Sequence, residues 1–587
     1  MNYLKILLFL LILVAGNACS EKHSASSVKE IMDKTITRLY ATMDEKALAS
    51  ITNEQSMSFF TKDELQVLAT RYWYFDVNVP VIVSVMRSTE QKNVPFWLVA
   101  SGFKKTGMTM KNEMVTYEVW QKKFGAGTVG LGINGFENYR LHYFVSVAPA
   151  NKNDRLELSH FFPANQYAGI LDDGAFTYHD WDELVLMNVP ESMKGQKLLT
   201  TIRGRGSESG LVGAFRETAF PSSDKPDQVL LTWSFDPETS MDIQWRTDTT
   251  VKTGVLCYRQ QGTSDVVQVQ AEKLLMEDRE LMNDRFIYRY TAKLRDLKPA
   301  TTYKYLITPA TDWSQACSFT TSGPGNSFSF VWFGDTHHSP KFGEIIYQAE
   351  AAHSDAAFYS IAGDLVSDGL YRDQWDDLWA FSKNVICRKP LMAVPGNHDN
   401  RYGLGSKMYR DMFSYPLNGP DGVEKEQTYS FTCKNALFLM IDATSPVDAQ
   451  TEWIEKQLAG SDAEWKIAMF HFPPYNWEEP YTGIQQAWVP LFDKYHVDMV
   501  LSGHIHYYMR SKPMKAGKVV GSYNEGTAYI ISLGIPGTVK NITDEPYAAV
   551  RQQECWLYQY VKIDGDKLLY RSVNHEGKVI DSFEIDK

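Results

Sequence analysis

The sequence predicts a multidomain protein whose C-terminal half is an α/β domain of sheets flanked by helices, preceded by a β-sandwich and a mainly β N-terminal region. Three observations predict it. The chain has 587 residues, more than one hydrophobic core serves. Beyond Ser327, short apolar runs alternate with amphipathic helical stretches, as in a sheet with helices on its faces. Between residues 221 and 323, several short strand patterns separated by turn residues suggest two packed sheets.

The first 19 residues stand apart as a leader. Lys5 precedes ten apolar residues, Ile6 to Ala15, followed by Gly16-Asn17-Ala18-Cys19. Such a run is too short for a stable bilayer span and suits the core of a signal peptide. The small residues before Cys19 resemble a bacterial lipoprotein signal, which implies lipidation of Cys19 and export to the periplasm or cell surface, with a membrane reached through a lipid anchor. Gly16 replaces the usual leucine, so cleavage after Ala18 is the alternative.

The remaining cysteines, at 257, 317, 387, 433 and 555, lack CxxC spacing and are odd in number. This argues against a thiolate metal site and a disulfide framework. Cys257 and Cys317 could pair within one domain, with buried free thiols as the simpler reading. Hydrophobic residues make up 44% of the chain and the formal net charge is −12. A duplex nucleic acid therefore has no electrostatic reason to bind. A small phosphorylated substrate remains compatible, because bound metal creates its own local field.

Residues 20–220 form the first domain. Ser27 with Glu30 and Thr61 with Glu64 have capping-box spacing, and Val28, Ile31, Met32, Ile36 and Leu39 mark one helix face. From Val77 the period becomes two, through Val79, Val81, Val83 and Val85, and again from Leu141 to Val147. Arg203-Gly204-Arg205-Gly206 lacks the strand-to-helix context of a phosphate loop and reads as a hairpin tip. Nothing in this domain specifies a function.

Residues 221–323 follow a Pro-Ser-Ser-Asp-Lys-Pro linker, with strands expected at 228–235, 241–247, 255–260, 287–294 and 302–309. Leu294 to Pro299, followed by Tyr303 and Tyr305, resembles the corner of a fibronectin type III module, where a tyrosine hydroxyl ties the loop.

In residues 324–587, five strand ends carry metal-ligand residue types. The run Ser327–Phe333 leads to Gly334-Asp335-Thr336-His337, and 357–362 leads to Gly363-Asp364. Residues 391–394 lead to Gly396-Asn397-His398-Asp399, 466–470 to His471, and 497–501 to Gly503-His504-Ile505-His506. Ligand sites in open α/β sheets lie outside the carboxyl ends of strands. A single histidine there is usually structural, whereas five such ends in order point to a metal site.

These motifs, in this order, resemble the calcineurin-like metallophosphoesterases. Ala487 to Phe492 and Arg510-Ser511, with the upstream sandwich, are similar to the purple acid phosphatases, over about residues 223 to 560. The resemblance implies one metal held by Asp335, His337 and His506, and a second by Asn397, His471 and His504. Asp364 would bridge them, and His398 would contact substrate as a catalytic group. Purple acid phosphatases have glycine where His337 stands and tyrosine where Ser367 stands. Loss of the tyrosine implies no iron-tyrosinate colour and favours two divalent ions, Mn, Fe or Zn.

Two such ions keep net positive charge after Asp335, Asp364 and a bridging hydroxide are counted, which attracts phosphate and acidifies bound water. The implied activity is that of an exported metal-dependent phosphoric ester hydrolase acting on phosphomonoesters by in-line attack of that hydroxide. A phosphodiesterase or nucleotidase with the same core is the alternative. A surface ligand-binding lipoprotein with an inactive phosphatase fold is the alternative of another class. Asp368 is a candidate to orient His398, or a turn cap. His338, Arg401, Tyr402, Tyr475, Tyr507 and Arg510 are substrate-side candidates, since all lie within a few residues of a ligand motif. Asp442, at a further strand end, is a candidate support for a ligand histidine or a strand cap.

Overall fold

The computed structural model describes residues 27–587 apart from 165, 180, 402–403, 479–480, 539–544 and 553. The leader and Cys19 lie outside the described residues, as does Tyr402. Among the described residues, no helix is long and apolar enough to cross a membrane.

Four helices open the chain, Val28–Thr42, Glu45–Ala49, Asn53–Ser58 and Lys62–Thr70. Ser27 and Thr61 each form reciprocal capping boxes with Glu30 and Glu64, satisfying backbone N–H groups that the first helical turn leaves over. Val28, Ile31, Met32, Ile36 and Leu39 are buried against a six-stranded and a three-stranded sheet. The alternation from Val77 to Val85 is two strands rather than one, Trp73–Val77 and Val81–Ser88. Pro80 sits at the break, because it cannot donate to a strand ladder. Arg203–Ser209 is a 3-10 turn with both arginines buried, which corrects the hairpin-tip expectation.

The middle domain is two four-stranded sheets. One orders Asp227–Thr232, Met241–Asp248, Phe286–Leu294 and Glu272–Glu277; the other orders Val267–Gln270, Val255–Gln260, Thr302–Ile307 and Cys317–Thr320. Lys298 N–H donates to the Tyr303 hydroxyl at 2.9 Å, pinning the turn that precedes the strand. Val267–Gln270, Glu272–Glu277 and Cys317–Thr320 were not expected. The first two are largely exposed edge strands with weak apolar alternation.

The C-terminal half packs two sheets face to face. Leu391–Val394, Phe358–Ala362 and Ser327–Phe333 run parallel in the first, which continues antiparallel through Leu557–Asp564, Lys567–Asn574 and Val579–Asp586. The second has Ala436–Met440, Trp465–Met469, Met499–Ser502 and Ala528–Ile531 as its parallel centre. Phe330 and Phe358, from the first sheet, meet Phe438 of the second edge-on at 5.2 Å between ring centres, so the sheets share one core. Helices Pro340–Ala352 and Arg372–Ile386 flank one sheet, while Val447–Ala459 and Val489–Tyr495 lie by the other. The central strands are parallel within each sheet, and their carboxyl ends open at the same end of the sandwich, where His471 after one sheet's strand reaches the carbonyl of Ala362 at the end of the other's.

The three parts meet through buried charge. Arg216 of the first domain pairs with Asp278 at 2.8 Å and with Asp373. Arg372 reaches Asp284 at 3.0 Å, and Arg246 and Asp376, both fully buried, are 2.8 Å apart. Removing one partner of such a pair strands the other away from water, so the network specifies how the domains dock.

Candidate metal centre

Two sets of three side chains converge at the sheet ends. Asp335, His337 and His506 form one set; Asp364, His471 and His504 form the other, with the ligand-type atoms of each within 4.8 Å of one another. Asp335 follows Ser327–Phe333, and Asp364 follows Phe358–Ala362, so neighbouring parallel strands deliver one carboxylate to each set. His506 Nε2 lies 3.1 Å from Asp335 Oδ2, and His337 Nε2 lies 3.6 Å from the same oxygen. Asp364 Oδ2 stands between the sets, 3.2 Å from His471 Nε2 and 3.9 Å from both His337 Nε2 and His398 Nε2.

The local backbone permits this crowding. Gly363 has φ +92°, and a Cβ there would stand 2.4 Å from His471 Nδ1. At Gly503 a Cβ would come within 2.3 Å of Asp335 Oδ1. Asp364, His337 and His504 themselves have φ of 53°, 44° and 69°, a left-handed region that non-glycine residues enter at a cost. Backbone N–H groups compensate: His504 donates to Asp335 Oδ1 at 2.7 Å, and His398 donates to Asp364 Oδ1 at 2.9 Å.

The donor set fits a metal pair. His471 Nδ1–H donates to the carbonyl of Ala362 at 2.7 Å, which leaves the Nε2 lone pair facing Asp364. That Nε2 is buried with no hydrogen-bond partner, and so is Asn397 Oδ1. Lone pairs of nitrogen and carboxylate oxygen aimed at one another in a dry site need a cation between them. Burial opposes ionisation of His337 and His471, yet Asp335 and Asp364 push both up to about 9. Burial likewise works against charge on Asp335, but His337 and His506 hold it well below the usual carboxylate range.

His398 lies beside this centre, its Nδ1–H donating to the carbonyl of Ser367 at 2.7 Å. The Ser367 carbonyl thus orients the imidazole, and Asp368 takes the second of its two expected roles, the turn cap. Asp368 Oδ2 is instead 3.1 Å from Arg401 Nη1, while its Oδ1 accepts from Leu370 N–H as a turn cap.

Other candidates are drawn elsewhere. Arg510 donates to both oxygens of Asp581, at 2.6 and 2.9 Å, and to the Tyr523 hydroxyl, so its fork is not left to hold phosphate. Tyr475 packs edge-on against Tyr529, 4.6 Å between ring centres, in an apolar cluster. His338 Nδ1 lies 3.2 Å from Asp377 of the flanking helix. Asp442 caps its own loop through Thr444 and Ser445.

Sequence reasoning missed three participants. Fully buried Asp399 accepts from the N–H groups of Leu365, Val366 and Gly396, tying the Asp364 loop to the Asn397 loop. Its place directly after His398 was the available signal. Ser207 and Asn138 arrive from the first domain: Arg401 Nη2 donates to Ser207 Oγ at 3.0 Å, and Asn138 Nδ2 donates to the Tyr371 hydroxyl at 2.6 Å. No motif marks either.

Residues 328–508 match the calcineurin-like phosphoesterase model, and 226–321 match the purple acid phosphatase N-terminal domain. An uncharacterized protein of Mycobacterium tuberculosis is 28% identical over 212 residues, 31% of this chain and 40% of that one. Purple acid phosphatase 15 of Arabidopsis thaliana is 32% identical over 157 residues, 24% of this chain and 29% of the relative. This chain thus spans less than half of either relative. A purple acid phosphatase from yellow lupin (Lupinus luteus) seeds superposes with TM-score 0.54 and 15% identity, over 86% of this chain and 90% of that one. At that identity the likeness is one of fold.

Proposed function

We propose that this chain, a purple acid phosphatase-like member of the calcineurin-like phosphoesterases, hydrolyses small phosphomonoesters with two divalent metal ions. The observation that carries the reading is Asp364, whose Oδ2 faces His471 on one side and His337 on the other at 3.2 and 3.9 Å. Asp335, His337 and His506 would hold one ion, and Asn397, His471 and His504 the other, with Asp364 shared. Manganese, iron and zinc all suit this mixture of imidazole and oxygen donors, and Ser367 offers no phenolate to select ferric iron. When bound, such a pair supplies positive charge for the phosphoryl oxygens and water acidic enough to act near neutral pH.

The chain's own groups do the rest. Asp335 and Asp364 would supply the negative charge that retains the ions, and backbone N–H donors keep both carboxylates fixed. His398, its Nδ1–H anchored on Ser367, turns Nε2 toward the Asp364 side, where it meets a phosphoryl or leaving-group oxygen. Asp399 holds the two loops together so that Asp364 and His398 keep their spacing. Export and a lipid anchor at Cys19 belong to the same proposal and rest on the leader.

Hydrolysis of p-nitrophenyl phosphate but not bis(p-nitrophenyl) phosphate by the metal-loaded chain, lost in Asp364→Asn, supports the monoesterase. Preference for the bis-ester favours the diesterase. No turnover of either by metal-loaded protein contradicts the proposal.

A further inference from the structure

Two thiols meet where the β-sandwich abuts the catalytic half. Cys317 begins the strand Cys317–Thr320, Cys387 caps helix Arg372–Ile386, and their Sγ atoms are 3.5 Å apart. The Tyr305 hydroxyl donates to the Cys387 carbonyl at 2.6 Å, holding the helix end on the sandwich at the same point. A Cys257–Cys317 bond, the pairing the sequence allowed, is excluded by register. Cys257 lies opposite Leu306 and Cys317 opposite Tyr305, on the two sides of one intervening strand. Two strand spacings, roughly 9–10 Å, exceed the reach of a disulfide, about 7 Å between Cα atoms.

We propose that Cys317 and Cys387 form a redox site, which closes to a disulfide by exchange with a disulfide-bearing oxidant and staples the sandwich to the catalytic helix. Cys317 is half-buried and Cys387 buried, so the Cys317 thiolate meets the oxidant first. It attacks one oxidant sulfur, forming a mixed disulfide and releasing the other as a thiolate. Cys387 then attacks the Cys317 sulfur, the new S–S bond forms, and the second oxidant sulfur leaves as a thiolate. The two cysteines lose two protons and two electrons, and the oxidant's disulfide is reduced to two thiols.

The hydrogen bond with Cys387 draws the Cys317 thiol down to about 6, against the effect of burial, which favours it as the attacking sulfur. The gap must shrink by roughly 1.5 Å to reach bonding distance. The closed ring, with its ends 70 positions apart, contains Asp335, His337 and Asp364. Closure therefore restrains the unfolded segment that carries three of the candidate ligands.

The test is peptide mapping of the purified full-length chain after incubation with oxidised glutathione and alkylation in denaturant. The expected result is a Cys317 peptide joined to a Cys387 peptide, Cys257, Cys433 and Cys555 alkylated, and a thermal midpoint raised by about 5 °C that returns with reductant. Cys387→Ser should retain glutathione on Cys317 and lack the rise. Alkylation of both cysteines, a stable glutathione adduct on wild-type Cys317, or Cys317 joined to another cysteine would overturn the proposal. The mapping reads wild-type protein, so it stands even if the variant fails to fold.

Discussion

The catalytic half and the N-terminal domain meet at one flank of the candidate metal centre, but they bring side chains there by different means. In the catalytic half, parallel strands end together, and Asp335, Asp364, His471 and His504 each follow such an end within a few residues. The N-terminal domain contributes Ser207 from a 3-10 turn and Asn138 from a loop, and both touch supports rather than candidate ligands. Strand ends position chemistry and leave motifs; docked turns position the supports and leave none.

Breaking the catalytic side should have the largest effect. Asp364→Asn removes the carboxylate that stands between the two sets and should lower kcat on p-nitrophenyl phosphate by roughly 1,000-fold, measured at saturating metal. Retained activity within tenfold would place the shared role elsewhere.

The seam between the domains should respond to pH. Burial, opposed by Arg279 and reinforced by Asp278, pushes Glu280 up to about 7 from an ordinary value of 4.5. Between those values the unfolded chain has released a proton that the folded chain keeps. This stabilisation is complete below the unfolded value and lost as pH rises through the folded one, a fall of roughly 3 kcal/mol. Urea midpoints from pH 4.5 to 8 should show this slope in wild type and lose it in Glu280→Gln; parallel profiles would remove Glu280 from the account.

Arg401 links the two sides, since one nitrogen pairs with Asp368 and another donates to Ser207. Arg401→Ala should lower kcat by about 10- to 100-fold, with metal content unchanged and partial rescue in Arg401→Lys. Equal loss in both variants would make its role one of charge alone. The smallest effect belongs to Ser207→Ala, which removes one hydrogen bond worth about 1 kcal/mol and should cost about fivefold in kcat/KM. A loss as large as that of Arg401→Ala would show that the N-terminal domain acts directly in the site.

The contrast also explains what could be read from the chain. The α/β half was legible because apolar strands and ligand-type ends recur together, and the capping boxes at Ser27 and Thr61 are local chemistry. Valine alternation across Pro80 misled because period alone cannot see a missing N–H. Arg510 stands close to the Gly-His-x-His motif, but strand geometry turns it onto Asp581, more than seventy positions away in the chain. Sequence left two roles open for Asp368, orienting His398 or capping a turn, because it does not show which way the neighbouring Ser367 carbonyl points; that carbonyl meets the imidazole and Asp368 caps the turn. The Cys317–Cys387 contact and the Ser207–Arg401 bond are products of domain docking, for which the chain carries no local signal.

Metal counting on the purified full-length chain tests the central claim most directly. The account predicts about two divalent ions per chain, with occupancy reduced in Asp364→Asn while its circular dichroism spectrum matches wild type. A folded wild-type protein that takes up no metal from manganese, iron or zinc, or an Asp364→Asn variant with undiminished occupancy, would contradict it.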